Sequence, residues 1–102
     1  MDEEKRKQAI KKYLADKGIK PSSRGYKALF YAILEASCEP DKPCMELFDV
    51  AAKAMSTESS NPVSGDRAYR NANYAIKNSK NGSYEGGLYE FIKSCSIELE
   101  SM

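Results

Sequence analysis

Four side chains in the segment 66–80 have the types and spacing to recognise an anionic surface edged with hydrogen-bonding groups: Arg67, Arg70, Asn73 and Lys77. They recur every three or four residues, so a helix sets them along one side. Arg and Lys donate to phosphates, and the forked donors of Arg and Asn match the edges of guanine and adenine. On a helical projection Tyr74 joins this arc, while Ala68, Ala72, Ala75, Ile76 and Ser79 fall opposite it. Asp66 is the one acid of the segment and sits near its start, where the helix dipole favours a negative charge. The sequence therefore nominates Arg67 and Arg70 for guanine edges or phosphates and Asn73 for adenine. Lys77 with Lys80 would hold the nucleic-acid backbone.

Other chemistry is scarce. The chain has no histidine, which removes the commonest general base and the commonest transition-metal ligand. Cys38, Cys44 and Cys95 are odd in number and lack the paired spacing of zinc or redox motifs. Gly86-Gly87 is a bare dipeptide rather than a phosphate-binding loop. The inventory points to no metal, no cofactor and no enzymatic activity, and to cysteines that fill or flank a core as reduced thiols.

The elements that must position the arc are helical. Residues 3–17 open on Glu3 and Glu4, turn basic, carry Ile10, Tyr13 and Leu14 at helical spacing, and meet a natural stop at Gly18. Pro21-Ser22-Ser23 reads as a turn with a hydroxyl N-cap for a second helix. That helix has the clearest apolar stripe: Tyr26, Leu29, Phe30, Ile33 and Leu34. Pro43 suits the first position of a third helix, buried through Leu47, Val50, Ala51 and Ala54 or Met55. Met45 and Met55 are expected to fill gaps in the core. Ser56 to Pro62 reads as a surface loop. Ser64 or Asp66 then caps a fourth helix running to about Ser79, ended by Asn81-Gly82. A fifth, over roughly 84–98, turns Leu88, Phe91, Ile92, Cys95 and Leu99 inward. No period-2 run exists, and the expected fold is all-α: a compact bundle of five to six helices.

A length of 102 residues suits one domain, and 41% hydrophobic against 30% charged residues suits an ordinary globular core. No apolar run is long enough to span a membrane and the start does not resemble a signal peptide, so a cytoplasmic protein without membrane partners is expected. Net charge is only +1, but it is unevenly spread. Up to Gly82 there are fifteen Lys and Arg against eleven Asp and Glu; beyond it, one Lys faces four Glu. A basic body with an acidic end fits a chain that offers one face to an anion.

Three segments also resemble the DNA-binding effector domain of the stage-zero sporulation master regulator. Gly18-Ile19-Lys20-Pro21-Ser22-Ser23-Arg24-Gly25-Tyr26, with Leu29, Ala32 and Ile33, is similar to the opening of that domain's second helix. Leu47-Phe48-Asp49-Val50-Ala51 resembles its first helix-turn-helix element, and Arg67-Ala68-Tyr69-Arg70 with Ala75-Ile76 its recognition helix. The likeness spans roughly residues 13–93. Met55 to Asp66 is longer than the family's turn, and Tyr69 stands where the family carries an acid. The resemblance implies a domain of about six helices that binds promoter DNA, commonly as a tandem dimer. Arg67 and Arg70 would be recognition-helix arginines, and Ser64 would lie at the phosphate-facing N-terminus. The partner expected first is double-stranded DNA, with a homodimer forming on it or a regulatory protein acting through it. The alternative is a protein-interaction module using Tyr69, Tyr74, Tyr84 and Tyr89 or the 55–63 loop.

Overall fold

A computed structural model describes residues 3–22, 25–39, 41–58, 63–77 and 87–100. Five helices run in the order α1 (Glu3–Asp16), α2 (Tyr26–Cys38), α3 (Cys44–Glu58), α4 (Gly65–Lys77) and α5 (Gly87–Glu100). The described residues contain no strand. The expected all-α bundle is the observed one.

Apolar patterning decides which helix is central. In α2 six of thirteen residues are buried: Ala28, Leu29, Phe30, Ala32, Ile33 and Ala36. They cover more than one stripe, and a helix that is apolar around much of its circumference must be enclosed. Accordingly α2 lies against α1, α3, α4 and α5. Edge-to-face ring contacts join the outer layers: Tyr13 of α1 meets Phe91 of α5 at 5.6 Å, and Phe48 of α3 meets Tyr69 of α4 at 5.5 Å. Phe91, Ile92 and Cys95 of α5 are buried, as the helical spacing requires. The side chains of Leu88 and Leu99 lie outside the described residues.

Helix ends follow from local chemistry. At the end of α1, the Ile19 amide donates to the Leu14 carbonyl and the Gly18 amide to that of Ala15. With Gly18 at φ 80 this is a Schellman motif, and its accompanying apolar pair, Ile19 and Leu14, is buried.

The start of α2 departs from expectation. Its N-cap is Gly25 at φ 93, with no side-chain cap, and not a serine of the preceding turn. The cause is a close approach to another helix. A Cβ on Gly25 would lie 1.9 Å from the backbone carbonyl oxygen of Asn71 in α4. Pro43 stands one residue before α3 and not at its first position, its carbonyl accepting the Leu47 amide.

Three further expectations are corrected in α3. Phe48 and Ala52, rather than Val50, complete the deep face with Leu47 and Ala51. Met45 is 47% exposed and fills no core gap, whereas Met55 does pack against the core. The helix also continues through Ser56, Thr57 and Glu58. There the polar side chains satisfy the backbone: Thr57 Oγ1 donates to the Lys53 carbonyl at 3.0 Å. None of the described helices is long and apolar enough to cross a membrane.

Candidate nucleic-acid interface

The site is built on α4, which is held from three sides. At its start Ser64 is the cap: its Oγ accepts the Arg67 amide at 3.2 Å and its carbonyl accepts that of Ala68 at 3.0 Å. This satisfies orphan donors of the first turn. Gly65 lies so close to α3 that a Cβ there would meet the Asp49 carboxylate at 2.1 Å. Midway along, the backbone at Asn71 and Ala72 receives Gly25 of α2. Ala68, Ala72 and Ala75 are buried with Ile76, and their small side chains permit these short distances.

Anchoring the alanine face inward leaves the opposite face outward. Arg67, Arg70 and Lys77 are exposed, and Tyr74 is 53% exposed between them. Asn73 is half-buried at the edge of the arc. Ser64 is exposed at the N-terminal end of the same helix. Lys80 and Ser79 lie outside the described residues. Among the described residues, none forms an ion pair with Arg67, Arg70 or Lys77. Asp66 is also exposed and is the arc's one negative charge. From Arg67 to Lys77 the face extends about 15 Å along the helix at 1.5 Å per residue.

Tyr69 is not part of this surface. It packs edge-on against Phe48 and counts among the core's partly buried members. Its neighbours in the tyrosine surface foreseen from sequence, Tyr84 and the side chain of Tyr89, lie outside the described residues.

A cation that the sequence reading missed stands beside α4. Lys53 of α3 is exposed and lines, with Asp49, Ser56, Val63 and Gly65, an open groove of about 520 Å³ between α3 and the start of α4. Lys53 falls two residues beyond the segment Leu47–Ala51 singled out as resembling the first helix-turn-helix element. The connection that follows is closed at its base by Ser56. Its Oγ accepts the Val63 amide at 2.8 Å and donates to the Val63 carbonyl at 3.4 Å. A junction longer than the usual three- or four-residue turn is thereby tied down at both ends.

The basic cluster of α1 is used differently. The Lys17 ammonium sits 5.3 Å from the centre of the Tyr13 ring, that of Lys11 6.0 Å from Phe30, and Arg6 donates to the Cys38 sulfur at 2.8 Å. These cations ride on the molecule's own side chains rather than forming one open field. None of the three cysteines is disulfide-bonded; Cys95 is buried, Cys44 intermediate and Cys38 exposed. Among the described residues no group of three His, Cys, Asp or Glu is placed to hold a metal. No family model, curated protein or solved structure matches the chain.

Proposed function

We propose that the chain binds double-stranded DNA through the outward face of α4 and acts in the cytoplasm as a transcriptional regulator of the sporulation-regulator effector type. One observation carries the reading: α4 buries alanines and turns Arg67, Arg70, Tyr74 and Lys77 to solvent, with no described residue pairing its cations. A recognition helix needs this division, because its inner face must approach the supporting helices closely while the outer face enters the major groove. Arg67 and Arg70 would read guanine or bind phosphate, Asn73 would reach adenine from the edge of the arc, and Lys77 with Lys53 would bind the backbone. The interaction-module alternative is weaker, since Tyr69 is already engaged with Phe48.

The test is fluorescence anisotropy of a labelled duplex at about 50 and 200 mM salt. Three to four phosphate contacts give a loss of roughly 40- to 150-fold over that range. Arg67→Ala with Arg70→Ala should abolish measurable binding, each Arg being worth about 1–3 kcal/mol. Binding that ignores salt, or survives the double substitution in folded protein, overturns the proposal.

A further inference from the structure

Asp49 and Lys53 stand one helical turn apart on α3, and both are exposed. Both line the groove that runs to the start of α4. An acid four residues before a lysine is the favoured order for an ion pair along a helix. Among the described residues, however, neither side chain is in an ion pair.

The cause lies on the facing helix. Gly65 is the first residue of α4, and the Asp49 carboxylate takes the place where a side chain at that position would begin. A Cβ on Gly65 would also lie 3.3 Å from Asp49 Cγ and 3.6 Å from its Cα, so the stem of the side chain shares the seat with its tip. Gly65 does not have the positive φ of Gly18 and Gly25, so the backbone there does not call for glycine. What glycine supplies is space. The carboxylate is thereby turned across to α4 instead of along α3 to Lys53. A negative charge beside a helix N-terminus is stabilised by the helix dipole, which favours that orientation.

The consequence falls on Lys53. We propose that Gly65 is a positioning residue for DNA binding: it seats the Asp49 carboxylate against α4 and so keeps Lys53 unpaired for the DNA backbone. This rests on the DNA-binding reading of α4 and adds the residue that governs one of its phosphate contacts. A side chain at position 65 displaces the carboxylate into the groove it shares with Lys53, where the i, i+4 spacing lets the two charges meet. The ammonium is then neutralised from its own helix, and a carboxylate stands in the path of the phosphates.

The test is duplex binding by fluorescence anisotropy at about 50 and 200 mM salt, with each variant checked as folded by circular dichroism. Gly65→Ala should weaken binding about twofold or more at the lower salt, the worth of one such pair, and by less at the higher. Asp49→Asn added to Gly65→Ala should restore at least wild-type affinity, because the displaced side chain no longer carries a charge. Lys53→Gln should lower the salt slope by about 1, and adding Gly65→Ala to it should change nothing further. Asp49→Glu, whose extra methylene does not fit the seat, is the second route to the same loss should Gly65→Ala fail to fold. Unchanged affinity in Gly65→Ala overturns the proposal. So does a loss that persists beside Asp49→Asn or Lys53→Gln, since that loss would come from a shifted α4. The DNA reading fails by a different result: it falls, and this proposal with it, if the wild type binds no duplex or if Arg67→Ala with Arg70→Ala binds as the wild type does.

Discussion

Gly25 is where a single added methyl group would do most harm. Its φ of 93 is in the left-handed region, and a Cβ would fall 1.9 Å from the Asn71 carbonyl oxygen and 2.9 Å from the Ala72 nitrogen. Both atoms are backbone of α4 and cannot rotate away. Gly25→Ala should therefore cost about 2–4 kcal/mol, combining backbone strain with overpacking, read as a lower urea midpoint. Gly65→Ala is the control. The atom it would meet belongs to the exposed Asp49 side chain, which can swing aside, so its cost should be clearly smaller. Equal losses would show that backbone contact with Asn71 is not what constrains Gly25. The two caps also show which residue roles are legible in sequence. Ser64 was readable because its partner, the Arg67 amide, is three residues away. The role of Gly25 was not, because its partner lies on a helix 46 positions later. The serines before it attracted the cap assignment that Gly25 holds.

At the scale of elements, all five helices were visible as apolar periodicity, and so was the separation of faces in α4. The junction between α3 and α4 was not. A polar run of Ser, Thr and Asn is the ordinary signature of a loop, yet its first residues extend α3. Their hydroxyls bond backward to Lys53 and forward to Val63. Such cross-bonds depend on where the chain returns, which composition does not encode. Lys53 went unnoticed for the same reason, since only the return of the chain at Val63 and Gly65 makes the groove it lines. Ser56→Ala tests the positioning directly. It leaves the partly buried Val63 amide without its acceptor, which should cost about 1–2 kcal/mol. If the tie sets the pose of α4, DNA affinity should fall about tenfold although no residue of the outward face has changed. Lowered stability with unchanged affinity would mean that Gly25 and Gly65 alone position the helix.

The whole molecule has an unusual pH response written into its composition and packing. Without histidine, no side chain has an ordinary pKa between pH 6 and 8. Among the described residues, Cys44, Tyr26 and Lys42 have displaced pKa values, and all three titrate on the alkaline side. Burial raises the Cys44 thiol and the Tyr26 phenol. Lys42 is also raised, chiefly by its 2.6 Å hydrogen bond to Glu35 and then by nearby carboxylates, with burial acting in the opposite sense. Each of the three holds its proton more tightly folded than unfolded. The folded state therefore binds more protons in alkali, and stability must fall as pH rises. The Lys42 contribution is complete below its unfolded pKa and disappears as pH climbs through the higher folded one. Cys44 and Tyr26 add the same slope, because deprotonation is harder in the fold than in the open chain. The decline begins near pH 9 with Cys44 and continues above pH 10 with Tyr26 and Lys42. Urea midpoints should thus be flat from about pH 6 to 8 and drop above 9, with Cys44→Ala moving the onset upward. A midpoint that rises above pH 9, or an onset unchanged in the Cys44 variant, would contradict this assignment. Cysteine count alone gave no hint of it, since how deeply Cys38, Cys44 and Cys95 are covered is decided by the assembled helices.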